Sequence, residues 1–103
     1  MSNYLADVQK YDASADAAAV DKIVKHLGIA LRSRDASLVS CSDPEELARV
    51  REKWCVKTLG ETDAARCDSV IEKVCETMSA DHSKSRVTFY YLVAKHLGKI
   101  SAL

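Results

Sequence analysis

Between Ser85 and Gly98 the chain carries apolar side chains around almost the whole circumference of a helix. At helical spacing Phe89, Leu92, Val93, His96 and Leu97 form one broad stripe, with Tyr90 beside it. Val87, Tyr91 and Ala94 cover the opposite side, so Lys84, Thr88 and Lys95 are left to face water in one narrow strip. A helix this apolar has to be enclosed by several neighbours. The stretch is therefore expected to be the central post of a small helical domain. The chain has 103 residues, one domain's length, and can bury roughly 60–70% of its unfolded surface without metals or disulfide staples. Three glycines and one proline are too few for the turns of an all-β protein.

Four further helices are expected around this post. Asn3–Tyr11 places Tyr4, Leu5, Val8 and Tyr11 on one side and reads as a surface strap. Ala17–Leu27, capped by Ser14 or Asp16, buries Val20, Ile23, Val24 and Leu27. Ile29–Ser42 is irregular; Ile29, Leu31, Leu38 and Val39 feed the core, and a helical turn is expected near Asp35. Ser42-Asp43-Pro44-Glu45-Glu46 is a strong helix start: Asp43 caps, Pro44 suits the first position, and the glutamates meet the positive dipole end. That helix is expected to run to Leu59 and bury Leu47, Val50 and Trp54. Another starts at Thr62 or Asp63 and runs through Met78, with Cys67, Val70, Ile71, Val74, Cys75 and Met78 at regular helical spacing.

Lys25-His26-Leu27-Gly28, Lys57-Thr58-Leu59-Gly60 and Lys95-His96-Leu97-Gly98 share the form Lys-x-Leu-Gly, which uses every glycine in the chain. A repeated binding motif would look like this, but so would three helix ends. Glycine adopts the left-handed conformation after the last turn, and lysine faces the negative dipole end. The spacing is uneven, which argues against a solenoid and favours capping.

Candidate chemistry concentrates in Arg32–Asp43. Arg32, Ser33, Arg34, Ser40 and Ser42 precede a helix N-terminus, a combination able to hold a phosphate or carboxylate. Ser83-Lys84-Ser85-Arg86 repeats that chemistry before the last helix, and the two would form a shared anion site if they met. The opposing reading is structural: the serines cap turns, and Asp35 or Asp43 neutralises at least one arginine. Cys41, Cys55, Cys67 and Cys75 show neither a C-x-x-C pair nor zinc-ligand spacing. Cys67 and Cys75 are expected as buried small hydrophobes. Cys41, close to Arg32 and Arg34 in sequence, is the candidate reactive thiol. His96 is read as a core histidine, His26 as marginal and His82 as a loop residue, so no metal site and no cofactor are expected.

Fifteen basic and fifteen acidic side chains cancel, so no overall field draws nucleic acid or an anionic membrane. Arg49, Lys53 and Lys57 line one helix and Asp68, Glu72 and Glu76 the next; consecutive helices, or two copies of the chain, are expected to pair these flanks. No stretch reaches the roughly 20 apolar residues of a membrane span, and Met1–Lys10 lacks a secretory pattern. The expected compartment is the cytoplasm, with reduced cysteines.

Several runs carry a resemblance: Asn3-Tyr4-Leu5-Ala6-Asp7-Val8, His26 through Asp35, Ser40-Cys41-Ser42-Asp43, and Ser85-Arg86-Val87-Thr88-Phe89-Tyr90-Tyr91-Leu92. In these the chain resembles a small bacterial family catalogued only as a domain of unknown function. The resemblance implies a compact all-helical bacterial protein and carries over no catalytic or binding residue. The combined expectation is one all-α domain, residues 1–103, of five helices with the last central. Its leading function is a non-enzymatic interaction or structural module, acting on a protein partner or as a homodimer. The alternatives are a binder of a small anionic or phosphorylated ligand at Arg32–Asp43 and a thiol-dependent redox protein using Cys41.

Overall fold

Three helices begin where an aspartate caps free backbone N–H groups. Asp16 accepts from the Ala18 N–H (2.9 Å), Asp43 from Glu45 (3.0 Å) and Asp63 from Arg66 (3.2 Å). The computed structural model describes residues 4–32, 37–81 and 84–100. Within these, α1 spans Tyr4–Gln9, α2 Ala17–Leu27, α3 Pro44–Arg49, α4 Ala64–Thr77 and α5 Arg86–His96. A 3-10 turn, Gly28–Arg32, follows α2, and a π-helical segment, Val50–Thr58, continues α3. The fold is all-α; the one β feature among the described residues is an isolated bridge between Leu38 and Ser85. The Ile29 side chain and the turn expected near Asp35 lie outside the described residues. Among the described residues no helix is long and apolar enough to cross a membrane.

The last helix is the post that its sequence demands. Val87 through Ala94 are eight consecutive buried residues, and α5 packs against α1, α2, α4 and the π segment. Two of its residues depart from the expected water-facing strip and stripe. Thr88 is fully buried, because α1 lies over it and the Thr88 hydroxyl donates to the Asp7 carboxylate. His96 is exposed, at the last position of the helix.

The strap reading of α1 holds, and polar contacts fasten it. Besides Asp7 on Thr88, Tyr11 donates to Asp81 (3.0 Å), and Lys10 bridges Asp7 and Asp81 (3.0 and 3.7 Å). Just beyond α1, the buried Asp12 accepts from Tyr91 (3.0 Å) and Ser14 (2.8 Å) and pairs with Lys95 (3.3 Å).

The helix starting at Pro44 does reach Leu59, but not in one geometry. In the π segment the Leu59 N–H bonds the Trp54 carbonyl (2.9 Å) and the Thr58 hydroxyl bonds that of Lys53 (2.8 Å), both five residues back. The wider turn brings Cys55 and Leu59 inward together with Val50 and Trp54, while Leu47 stays half-buried. Trp54 stacks on Tyr90, centroids 4.5 Å apart, and its Nε1–H donates to the Tyr90 carbonyl at 3.0 Å. The capping reading of Lys-x-Leu-Gly also holds: Gly28, Gly60 and Gly98 follow helix ends with φ of 45°, 75° and 69°.

Candidate functional site

The two candidate segments that precede helices do meet. Val39 N–H donates to the Lys84 carbonyl and Arg86 N–H to that of Ser37, each at 2.8 Å, on either side of the Leu38–Ser85 bridge. This antiparallel clasp sets the N-terminus of α5 beside the chain leading into α3. Its polar groups are turned inward. Arg86 lies at 2.7 Å from Glu46 of α3 and donates to the Leu38 carbonyl (3.1 Å) and the Tyr90 hydroxyl (3.3 Å). Both members of the ion pair are largely buried, with side-chain exposures of 12% and 14%. Burial works to lower the guanidinium pKa, and Tyr90 and Glu46 outweigh it, so Arg86 is raised above its ordinary value. Glu46 Oε1 is itself buried, and Arg86 is the cation it meets. Buried Ser85 Oγ takes no hydrogen bond among the described residues, and Ser85 caps α5 without its side chain.

Of the described candidate anion ligands, Arg86 is committed to Glu46, while Asp43 occupies an N–H of α3 as its cap, with no arginine paired to it among the described residues. Arg32 is exposed at the end of the 3-10 turn and makes no ion pair among the described residues. Exposed Ser40 and Ser42 place their hydroxyl oxygens 3.2 Å from each other. Ser33, Arg34 and Asp35 lie outside the described residues, as does His82.

The cysteines require a correction. Cys41 is bonded to Cys75 in a disulfide across 34 residues, with Cα atoms 5.9 Å apart, within the usual range for such a bond. Cys41 is thus no free thiol here, and Cys75 is half-buried, not a sealed hydrophobe. The reason is tertiary: α3 with its π extension runs back along α4, so a residue before α3 falls beside the last turn of α4. The same hairpin juxtaposes Cys55 and Cys67 near its closed end, where both are free and fully buried. Burial pushes both thiols up, Cys55 strongly, with Cys67 and nearby acids adding to it.

An open cleft of about 410 Å³ lies along this hairpin. Pro44, Leu47, Ala48 and Ile71 supply apolar walls, Cys41 and Cys75 lie at the disulfide end, and Arg51, Asp68 and Glu72 carry the charge. Arg51 grips Asp68 with two hydrogen bonds of 3.1 Å and also meets Glu52 at 3.0 Å. Charge pairing between the helices thus exists, but Arg51, outside the Arg49–Lys53–Lys57 stripe, makes it, while Arg49 pairs with Glu46 on its own helix (3.3 Å). Sequence reasoning missed Glu46, Arg51 and Cys75 as site residues. Each has a partner 17 or more residues away, Arg86, Asp68 and Cys41 respectively, beyond any local motif. Among the described residues no group of three His, Cys, Asp or Glu side chains could hold a metal ion. Residues 3–101 match the family model described as a protein of unknown function (DUF2853). No curated protein matches the chain.

Proposed function

The chain belongs to the DUF2853 family, and from that premise we propose that it is a non-enzymatic interaction module of the bacterial cytoplasm, engaging a protein partner through the α3–α4 cleft. The cleft carries the reading. Its apolar walls are edged by Arg51, Asp68 and Glu72, the arrangement of a protein interface with an apolar centre and a charged rim. An inserted apolar side chain would cover Leu47 and Ala48, and the rim would select its orientation. Cytoplasmic placement is supported by Cys55 and Cys67, both left as thiols, and requires the Cys41–Cys75 disulfide to be reducible there. The test is an Ala48→Glu variant, which puts a charge in the cleft wall. With an unchanged circular dichroism spectrum, it should lose a protein that co-purifies with the wild type, or lose self-association in sedimentation if the partner is a second copy. Undiminished retention of the same partner would refute the reading.

For the anion-binding alternative, the candidates Arg32, Ser40 and Ser42 are described and exposed, and Arg32 is the one that brings a charge. Calorimetry with inorganic phosphate on wild type and Arg32→Ala tests it; equal heats would dismiss Arg32.

A further inference from the structure

We propose that Cys41–Cys75 is a reversible thiol–disulfide exchange site, reduced by a dithiol, and not a permanent staple. This stands apart from the interaction reading: it concerns the sulfur chemistry of the cleft, whatever the cleft binds. The first support is the division of the four cysteines into two pairs bridging the same helical hairpin. Cys55 and Cys67 are sealed and held protonated by burial. Cys41 and Cys75 are half-buried and both line the open cleft, where a thiolate can approach. The second support is position. Cys41 lies outside any helix and Cys75 in the last turn of α4, both at the margin of the core; Val50, Trp54, Ile71, Val74 and α5 enclose the centre without them. Breaking the bond therefore leaves the packed centre in place.

The surroundings also give the exchange a direction. Cys75 lies in the last turn of α4, at the negative end of its dipole, with Glu72 three residues before it and Glu76 next to it in sequence, which disfavour a thiolate there. Cys41 is the better leaving group. One thiolate of the dithiol attacks Cys75 Sγ, the Cys41–Cys75 bond breaks, and Cys41 leaves as a thiolate. The dithiol's second thiolate then attacks its own sulfur in the mixed disulfide and displaces Cys75. Two electrons and two protons pass from the dithiol to the cysteine pair, and the reductant departs as an internal disulfide.

The experiment uses the unmodified full chain in native buffer, equilibrated with graded ratios of reduced and oxidised dithiothreitol and, separately, of glutathione. Acid quenching, alkylation and peptide mass mapping follow, with circular dichroism on parallel samples. Cys41 and Cys75 should convert together and reversibly, and be reduced for the most part at glutathione ratios typical of cytosol. Helical content should hold, and Cys55 and Cys67 should stay unmodified until denaturant is added. Early quenching with glutathione as the attacking thiol should trap the adduct on Cys75, with Cys41 alkylated. An adduct on Cys41 instead overturns the assigned direction. A pair that stays oxidised until the protein unfolds, or that never forms under oxidised glutathione, overturns the proposal.

Discussion

The Arg86–Glu46 pair permits a prediction with a worked magnitude. At 2.7 Å, with an effective dielectric of ~20, the gross Coulombic attraction is about 6 kcal/mol. Most of it is offset by desolvating two charges whose side chains are 12% and 14% exposed. Arg86→Met removes the ion pair and the bonds to Leu38 and Tyr90, and leaves the largely buried Glu46 with the exposed Arg49, at 3.3 Å, as its remaining cation. Removing one partner of a buried pair costs about 3–5 kcal/mol, and the remaining Arg49 holds the loss to the lower end; at ~5 °C per kcal/mol for this size, the melting temperature should fall by roughly 15 °C. Glu46→Gln keeps the shape and leaves Arg86 its other acceptors, and should cost about 1–3 kcal/mol. The double variant Glu46→Leu, Arg86→Met should be less destabilised than the sum of the two corresponding single variants by about 2 kcal/mol or more. Urea denaturation followed by the fluorescence of Trp54 is the assay, since the only tryptophan stacks on Tyr90, which Arg86 contacts. Additivity within about 0.5 kcal/mol would refute the claim that these side chains form a buried, coupled pair.

Phe89→Ala, at a fully buried position of α5, should cost about 3–5 kcal/mol in the same denaturation assay. A loss below about 1 kcal/mol would contradict the central role of that helix. Asp12 is held below the ordinary carboxylate pKa, first by the Ser14 hydroxyl and then by Tyr91 and Lys95, against burial acting the other way. Its contribution is therefore present above an unfolded pKa of about 3.9 and lost as pH falls through the lower folded value. Asp12→Asn should flatten the decline in stability measured below about pH 4, and an unchanged acid limb would count against the assignment. At Gly60, φ is +75° and a Cβ would meet nothing within 4 Å, so Gly60→Ala isolates the backbone cost. Urea midpoints should report about 1–2 kcal/mol, and a neutral result would reject the left-handed cap.

The sequence alone determined the helices, because what makes a helix is local. Aspartate at the N-cap, proline at the first turn, glycine after the last and apolar residues every three or four positions act within a few residues of one another. Hence α2 matches its expected span, Asp43 and Asp63 cap as read, and α5 is central because no other arrangement hides its circumference. Only the tertiary structure decided what the polar side chains do, because their partners are distant in the chain. Thr88 is buried since Asp7 comes to it from 81 residues away, and Arg51 meets Asp68 across the hairpin. Arg86, which read as an anion ligand, is taken by Glu46 once α3 packs beside the start of α5. Cys41 and Cys75 look unrelated at a separation of 34 residues until α3 turns back along α4. Periodicity records which face of a helix is apolar; it holds no record of which charge or thiol the opposing face presents. That pairing is a property of the packed chain.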